Sequence, residues 1–110
     1  MNVEVVHVKD YGKETRRIGN DLYLYCGRGS KYGNPYVMKS ENDRDSVIKS
    51  FEKDTNMQES VSLLIKKLQR DGEDIETLKL GCFCAPKPCH CDVIKKRIDR
   101  EVIFLKDIPY

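Results

Sequence analysis

The sequence contains no apolar run approaching the ~20 residues that a helical membrane span requires, and its opening MNVEVVHVK lacks the layout of a cleavable export signal. No membrane partner is therefore expected, and the setting is expected to be cytoplasmic. Net charge is also scarce: 20 lysines and arginines against 18 acids leave +2. Nucleic-acid binding is driven by concentrated basic surface that releases counterions, so this balance disfavours nucleic acid as a partner without excluding it. No C-x-x-C occurs, which removes the usual dithiol redox pair. The five cysteines are an odd number, and without an export signal they are expected to stay as free thiols rather than form a disulfide framework. Neither G-x-G-x-x-G nor the Gly-Lys-Ser/Thr ending of a nucleoside-triphosphate loop is present.

What is present suits one folded domain over residues 1–110, with 39% hydrophobic and 35% charged residues of both signs interspersed. Val3 to Val8 reads as a valine-rich strand closed by the turn signal Asp10, Tyr11, Gly12, with His7 half-buried in it. KETRR at 13–17 reads as a solvated loop. LYLYC at 22–26 alternates on a period of two, as a strand does, and places Cys26 as a buried structural thiol. Asn42 or Asp43 can cap a helix carrying Val47, Ile48 and Phe51, which the cluster Asp54, Thr55, Asn56 interrupts. A second helix from about Met57 carries Val61, Leu64, Ile65 and Leu68 at core-facing spacing and ends at Asp71, Gly72. LKLGCFC at 78–84 reads as a strand, and a third helix follows with Val93, Ile94, Arg97 and Ile98 along one side. The closing VIFLKDIPY reads equally as an edge strand or as a partner-binding tail. Both central helices read as scaffold.

Residues 80–92, LGCFCAPKPCHCD, gather four of the five cysteines and one of the two histidines. As a zinc site they offer Cys82, Cys84, Cys89, His90 and Cys91, but a C-x-C and a C-H-C separated by only four residues differ from the usual pair of spaced knuckles. A set of Cys82, Cys84, Cys89 and either His90 or Cys91 is sterically possible. As a reactive centre, Cys89 falls where the third helix begins, so the helix dipole and a protonated His90 would make it the most acidic thiol. Pro86 and Pro88 stiffen the approach, as a loop presenting side chains to a ligand requires.

GRGSKYGNPY at 27–36 packs three glycines, a serine, an asparagine and a proline into one loop. Gly27 and Gly29 let backbone amides approach an anion, and Arg28, Ser30 and Lys31 add charge and donors suited to phosphate. Asn34 precedes Pro35, so its amide is held out of the helical region and aimed. Each unusual loop follows a strand. If those strands are parallel neighbours, the two loops meet at one rim, where open α/β domains bind ligands.

GRGSKYGNPYVM, the helix DRDSVIKSF and LGCFCAPKPCHCDVI together resemble the bacterial and phage family called domain of unknown function 4326, with its pattern GRGS-x-x-GNPF…GCWCAP-x-PCHGDVL, over roughly residues 3–98. The resemblance implies a small α/β domain whose matching positions are Gly27, Arg28, Gly29, Gly33, Asn34, Pro35, Cys82, Cys84, Pro88, Cys89, His90 and Asp92. Cys91 stands where that pattern has glycine. A family zinc site would then use Cys82, Cys84, Cys89 and His90 and leave Cys91 a spectator.

The expected fold is a small Rossmann-like α/β domain, two-layer or three-layer, with a short, mostly parallel sheet and about three helices. The expected function is binding of a phosphorylated small molecule, a nucleotide or nucleotide-derived metabolite, between loops 27–36 and 82–92, with hydrolase or transferase activity left open. Gly27, Arg28, Gly29, Ser30, Gly33, Asn34, Cys82 and Cys84 would bind the ligand. Cys89 would serve as nucleophile or His90 as proton carrier, with Asp92 orienting. No cofactor is required by this reading. The alternative is a zinc-stabilised, non-catalytic interaction module that binds a host protein or nucleic acid. The oligomeric state is not legible.

Overall fold

The computed structural model describes residues 1–109. Strands β1 (Asn2–His7), β2 (Arg16–Ile18), β3 (Asp21–Tyr25) and β4 (Thr77–Cys82) form one sheet in the order β1-β4-β3-β2. Three α-helices accompany it: α1 (Arg44–Lys53), α2 (Thr55–Asp71) and α3 (His90–Glu101). The α1–α2 crossover carries the chain from β3 back to β4 in the same direction, and β4 also runs parallel to β1. β2 pairs antiparallel with β3. The domain is thus mixed α/β.

Alternation along the strands assigns the two faces. Leu78, Leu80 and Cys82 of β4 point to one side with Val3, Leu24 and Cys26. Phe51 of α1, Val61, Leu64, Ile65 and Leu68 of α2, and Ile94 and Ile98 of α3 complete that same cluster. All three helices therefore cover one face, giving two layers. Tyr23 and Tyr25 point to the opposite face, where Val8, Val6 and Tyr11 pack on them and Tyr11 stacks on Tyr23 at 5.0 Å between ring centroids. Gly81 lies under Tyr23, and a Cβ there would collide with the phenol.

Several expectations need correction. The Rossmann-like picture does not describe this sheet, which is mixed and carries helices on one face only. Arg16 and Arg17 belong to an edge strand rather than a loop; β2 is three residues long and wholly exposed, so no apolar alternation marks it. The α1–α2 break is confined to Asp54, whose carboxylate accepts the Met57 N–H at 3.0 Å, and α2 starts at Thr55 instead of Met57. The strand expected over 78–84 stops at Cys82. The closing segment forms a 3₁₀ turn at Leu105–Asp107 instead of a strand, with Phe104 buried; its last residue, Tyr110, lies outside the described residues. Among the described residues no helix is long and apolar enough to cross a membrane.

Candidate functional site

Because β3 and β4 are parallel neighbours, their carboxyl ends open on the same edge of the sheet. The loops that leave them enclose a cavity of about 430 Å³. Gly27, Arg28 and Asn34 line it from the glycine-rich loop. Cys82, Cys84, Cys89 and His90 line it from the cysteine-rich loop. Two segments more than forty positions apart in the chain thus share one concavity, at the place where open α/β sheets bind ligands.

The remaining candidates fall outside it. Gly29, Ser30 and Gly33 line a separate depression of about 270 Å³, with Arg28 and Asn34 shared between the two. The Ser30 hydroxyl and N–H both donate to the Gly27 carbonyl, at 2.7 and 3.2 Å, and the Gly33 N–H donates to the Ser30 carbonyl at 3.3 Å. Those groups close the loop on itself instead of facing a ligand. Asn34 is aimed, as expected, but at backbone: its Nδ2 donates to the Val47 carbonyl at 3.1 Å and its Oδ1 accepts the Tyr36 N–H at 2.9 Å, fastening the loop to α1.

Cys89 is the N-cap of α3, and its extended backbone is what brings the cysteines together. With the N-cap extended and the next residues helical, the Cys89 and Cys91 thiols both approach Cys82, and the His90 Nε2 lies 3.8 Å from the Cys91 sulfur. The sulfurs of Cys82, Cys89 and Cys91 all lie within 4.8 Å of one another, buried, with 3.1 Å between those of Cys82 and Cys89. Of the donors weighed for a metal, Cys82, Cys89 and Cys91 come together, while Cys84 and His90 stand outside that group. Cys84 is only half-buried and stands beside the Arg44 guanidinium. The acidity order is corrected. Cys82 receives hydrogen bonds from the Cys89 and Cys91 thiols and from the Cys84 and Ala85 N–H groups, which hold it as thiolate far below the usual thiol range. Cys89 donates to it and is pushed up, as is Cys91 beside Cys26.

His90 is buried, at 8% exposure, and its Nε2 lies 2.8 Å from the Cys26 carbonyl. A carbonyl only accepts, so Nε2 carries the proton in that bond. Burial lowers the imidazole pKa, which makes the neutral ring the stable form, against the protonated ring expected beside Cys89. Asp92 accepts the Cys89 N–H at 2.9 Å and completes a reciprocal cap at the start of α3. It does not line the cavity.

α1, whose spacing reads as scaffold, also contributes to the site. Arg44, Val47 and Ile48 of α1 line the cavity, as do Tyr36, Met38 and Phe83. Arg44 donates to the Pro88 carbonyl at 2.8 Å and forks onto Glu41 at 2.8 and 2.9 Å, while Lys87 reaches the same carboxylate at 3.3 Å. Glu41 therefore clamps the cysteine-rich loop to the start of α1. Its two cations hold its pKa down to about 2 from 4.5. Since the folded value is the depressed one, the clamp's contribution is complete above pH 4.5 and is lost as pH falls toward 2. A carboxyl-carbon NMR titration is expected to place the Glu41 midpoint near 2 and to move it back toward 4.5 in Arg44→Ala; an ordinary midpoint in the wild type contradicts the clamp.

A family model described as a domain of unknown function (DUF4326) matches residues 9–100. The chain is also 38% identical over 81 residues to an uncharacterized 12.4 kDa protein in the nrdA-td intergenic region of Enterobacteria phage T4, covering 74% of this chain and 71% of that one. No solved structure gives a significant match.

Proposed function

The chain belongs to the domain of unknown function (DUF4326) family, and from the site that its two motifs build we propose that it binds a phosphorylated small molecule of the nucleotide class. One observation carries the reading: the glycine-rich and cysteine-rich loops converge on a single cavity of about 430 Å³. That volume falls within the range of small-molecule sites. Met38, Val47 and Ile48 supply apolar wall, and Tyr36 and Phe83, 40% and 50% exposed, offer ring faces at its edge for a base. Arg28 supplies a planar guanidinium group, which suits the bidentate geometry of phosphate, while Arg44, held by Glu41 and the Pro88 carbonyl, shapes the wall. In one respect the site is Rossmann-like, since it sits beyond the carboxyl ends of parallel strands. A hydrolase or transferase step has thinner support, because the His90 Nε2 is engaged by a carbonyl and Asp92 by a cap.

Titration calorimetry with nucleoside mono-, di- and triphosphates and sugar phosphates tests the proposal. One class is expected to bind, to protect the half-buried Cys84 from iodoacetamide, and to weaken by about tenfold or more in Arg28→Ala, the loss of one charge-assisted hydrogen-bond pair. Failure of every compound, or affinity indifferent to Arg28→Ala, overturns it. A second reading, the metal-stapled interaction module, is favoured by the buried thiol triad. It requires capture of a protein or nucleic-acid partner that leaves Cys84 labelling and Arg28→Ala without effect.

A further inference from the structure

The thiol cluster beneath the cavity floor contains more than the triad. Cys26 follows β3 and Cys82 ends β4; Tyr25 pairs with Gly81 in the parallel register, and the Cys26 N–H donates to the Gly81 carbonyl at 2.9 Å. Continuing the register sets Cys26 opposite Cys82 with both side chains on the helix-covered face, where both belong to the buried core. The N-terminus of α3 lies above this pair and lowers Cys89 and Cys91 toward it. The Cys26 thiol meets that of Cys91 in hydrogen-bond contact. The end of β4 and the start of α3 therefore deliver three sulfurs to one buried point, and the Cys26 sulfur, donating to the Leu24 carbonyl at 3.5 Å, stands at its edge beside Cys91.

We propose that Cys26, Cys82, Cys89 and Cys91 form a closed tetrathiolate site for zinc, with Cys84 outside it. Four soft ligands with no water position is the arrangement of structural zinc. Each alternative leaves something unaccounted for. A disulfide joins only two of the four sulfurs, and apolar packing needs no mutual approach of sulfur at 3.1 Å. Binding is a plain exchange: the dication takes four thiolates, the remaining thiol protons leave to solvent, and no electron moves. The α3 N-terminus adds partial positive charge toward the anionic complex. The site would tie the root of loop 27–36 to that of loop 82–92, and it is independent of whether the cavity above takes a phosphorylated ligand.

The test uses the full chain, purified under thiol reductant without chelator. Elemental analysis is expected to find one zinc per chain, and X-ray absorption at the zinc edge a shell of four sulfurs at about 2.3 Å. Cobalt substitution is expected to give the intense thiolate-to-cobalt absorption of a tetrahedral site, retained in Cys84→Ser and lost or shifted in Cys26→Ser and Cys91→Ser. The absorption-edge measurement needs no variant, so misfolding of a cysteine mutant cannot mask the answer. Absence of zinc with no uptake on titration overturns the proposal. So does a nitrogen or oxygen in the shell, loss of the spectrum in Cys84→Ser, or an unchanged spectrum in Cys26→Ser or Cys91→Ser. None of these readouts involves a nucleotide, so they succeed or fail apart from the ligand reading.

Discussion

Phe51→Ala is expected to lower unfolding free energy by about 3–5 kcal/mol, the usual cost of deleting a fully buried phenylalanine ring. Phe51 has 0% exposure in the core shared by all three helices and the sheet. Its ring also meets His90 edge-on, with centroids 5.1 Å apart at 61°. A domain of this size has about 5–15 kcal/mol in total, so the variant sits near the edge of folding at 25 °C. Leu63, on the outer face of α2 at 60% exposure, provides the control: Leu63→Ala is expected to fall within about 0.5 kcal/mol of wild type. Urea denaturation measures both. A loss below about 1 kcal/mol for Phe51→Ala would show that the α1–α3 contact is not packed as described. Because Phe51 and His90 touch, the double variant should lose less than the sum of the singles.

The core was legible in the sequence because its spacing matches secondary-structure periods. Val61, Leu64, Ile65 and Leu68 follow the helical period and are buried together, and Leu78 and Leu80 follow the strand period. β2 was illegible for the opposite reason. Arg16, Arg17 and Ile18 are all exposed, and their pairing with Asp21 to Tyr23 is made by backbone groups that leave no side-chain signature. The mixed sheet follows from that one strand.

At the site, the meeting of the two loops followed from the rule for parallel strands, given the two strands that precede them. Which side chains face inward did not follow. The C-H-C run differs from the usual spaced zinc knuckles, yet Cys89 is an extended N-cap, and its sulfur and that of Cys91 both come within 4.8 Å of the Cys82 sulfur. Arg44 was hidden because its role depends on the Pro88 carbonyl, 44 positions away. Asn34 and Asp92 matched the expected motif, but both side chains are engaged with backbone. A motif shows that a residue type is required; only its hydrogen-bond partner shows for what.

His90 gives that distinction a measurable form. Its Nε2–H is the donor to the buried Cys26 carbonyl and its ring fills space against Phe51. His90→Ala is expected to cost about 2–4 kcal/mol, since it orphans a buried carbonyl, worth roughly 1–3 kcal/mol, and leaves a hole. His90→Gln retains an N–H donor of similar reach and should recover about half of that loss. Chemical denaturation of the two variants, read beside ligand titration of each, separates two roles. If His90 is the pin between β3 and α3, Gln restores stability and ligand affinity together, because the cavity wall is restored. If the imidazole instead carries a proton in a reaction, Gln restores the fold and affinity while turnover stays lost. Equal instability of Ala and Gln would sink the pin, leaving the ring's shape rather than its hydrogen bond as the quantity the fold requires.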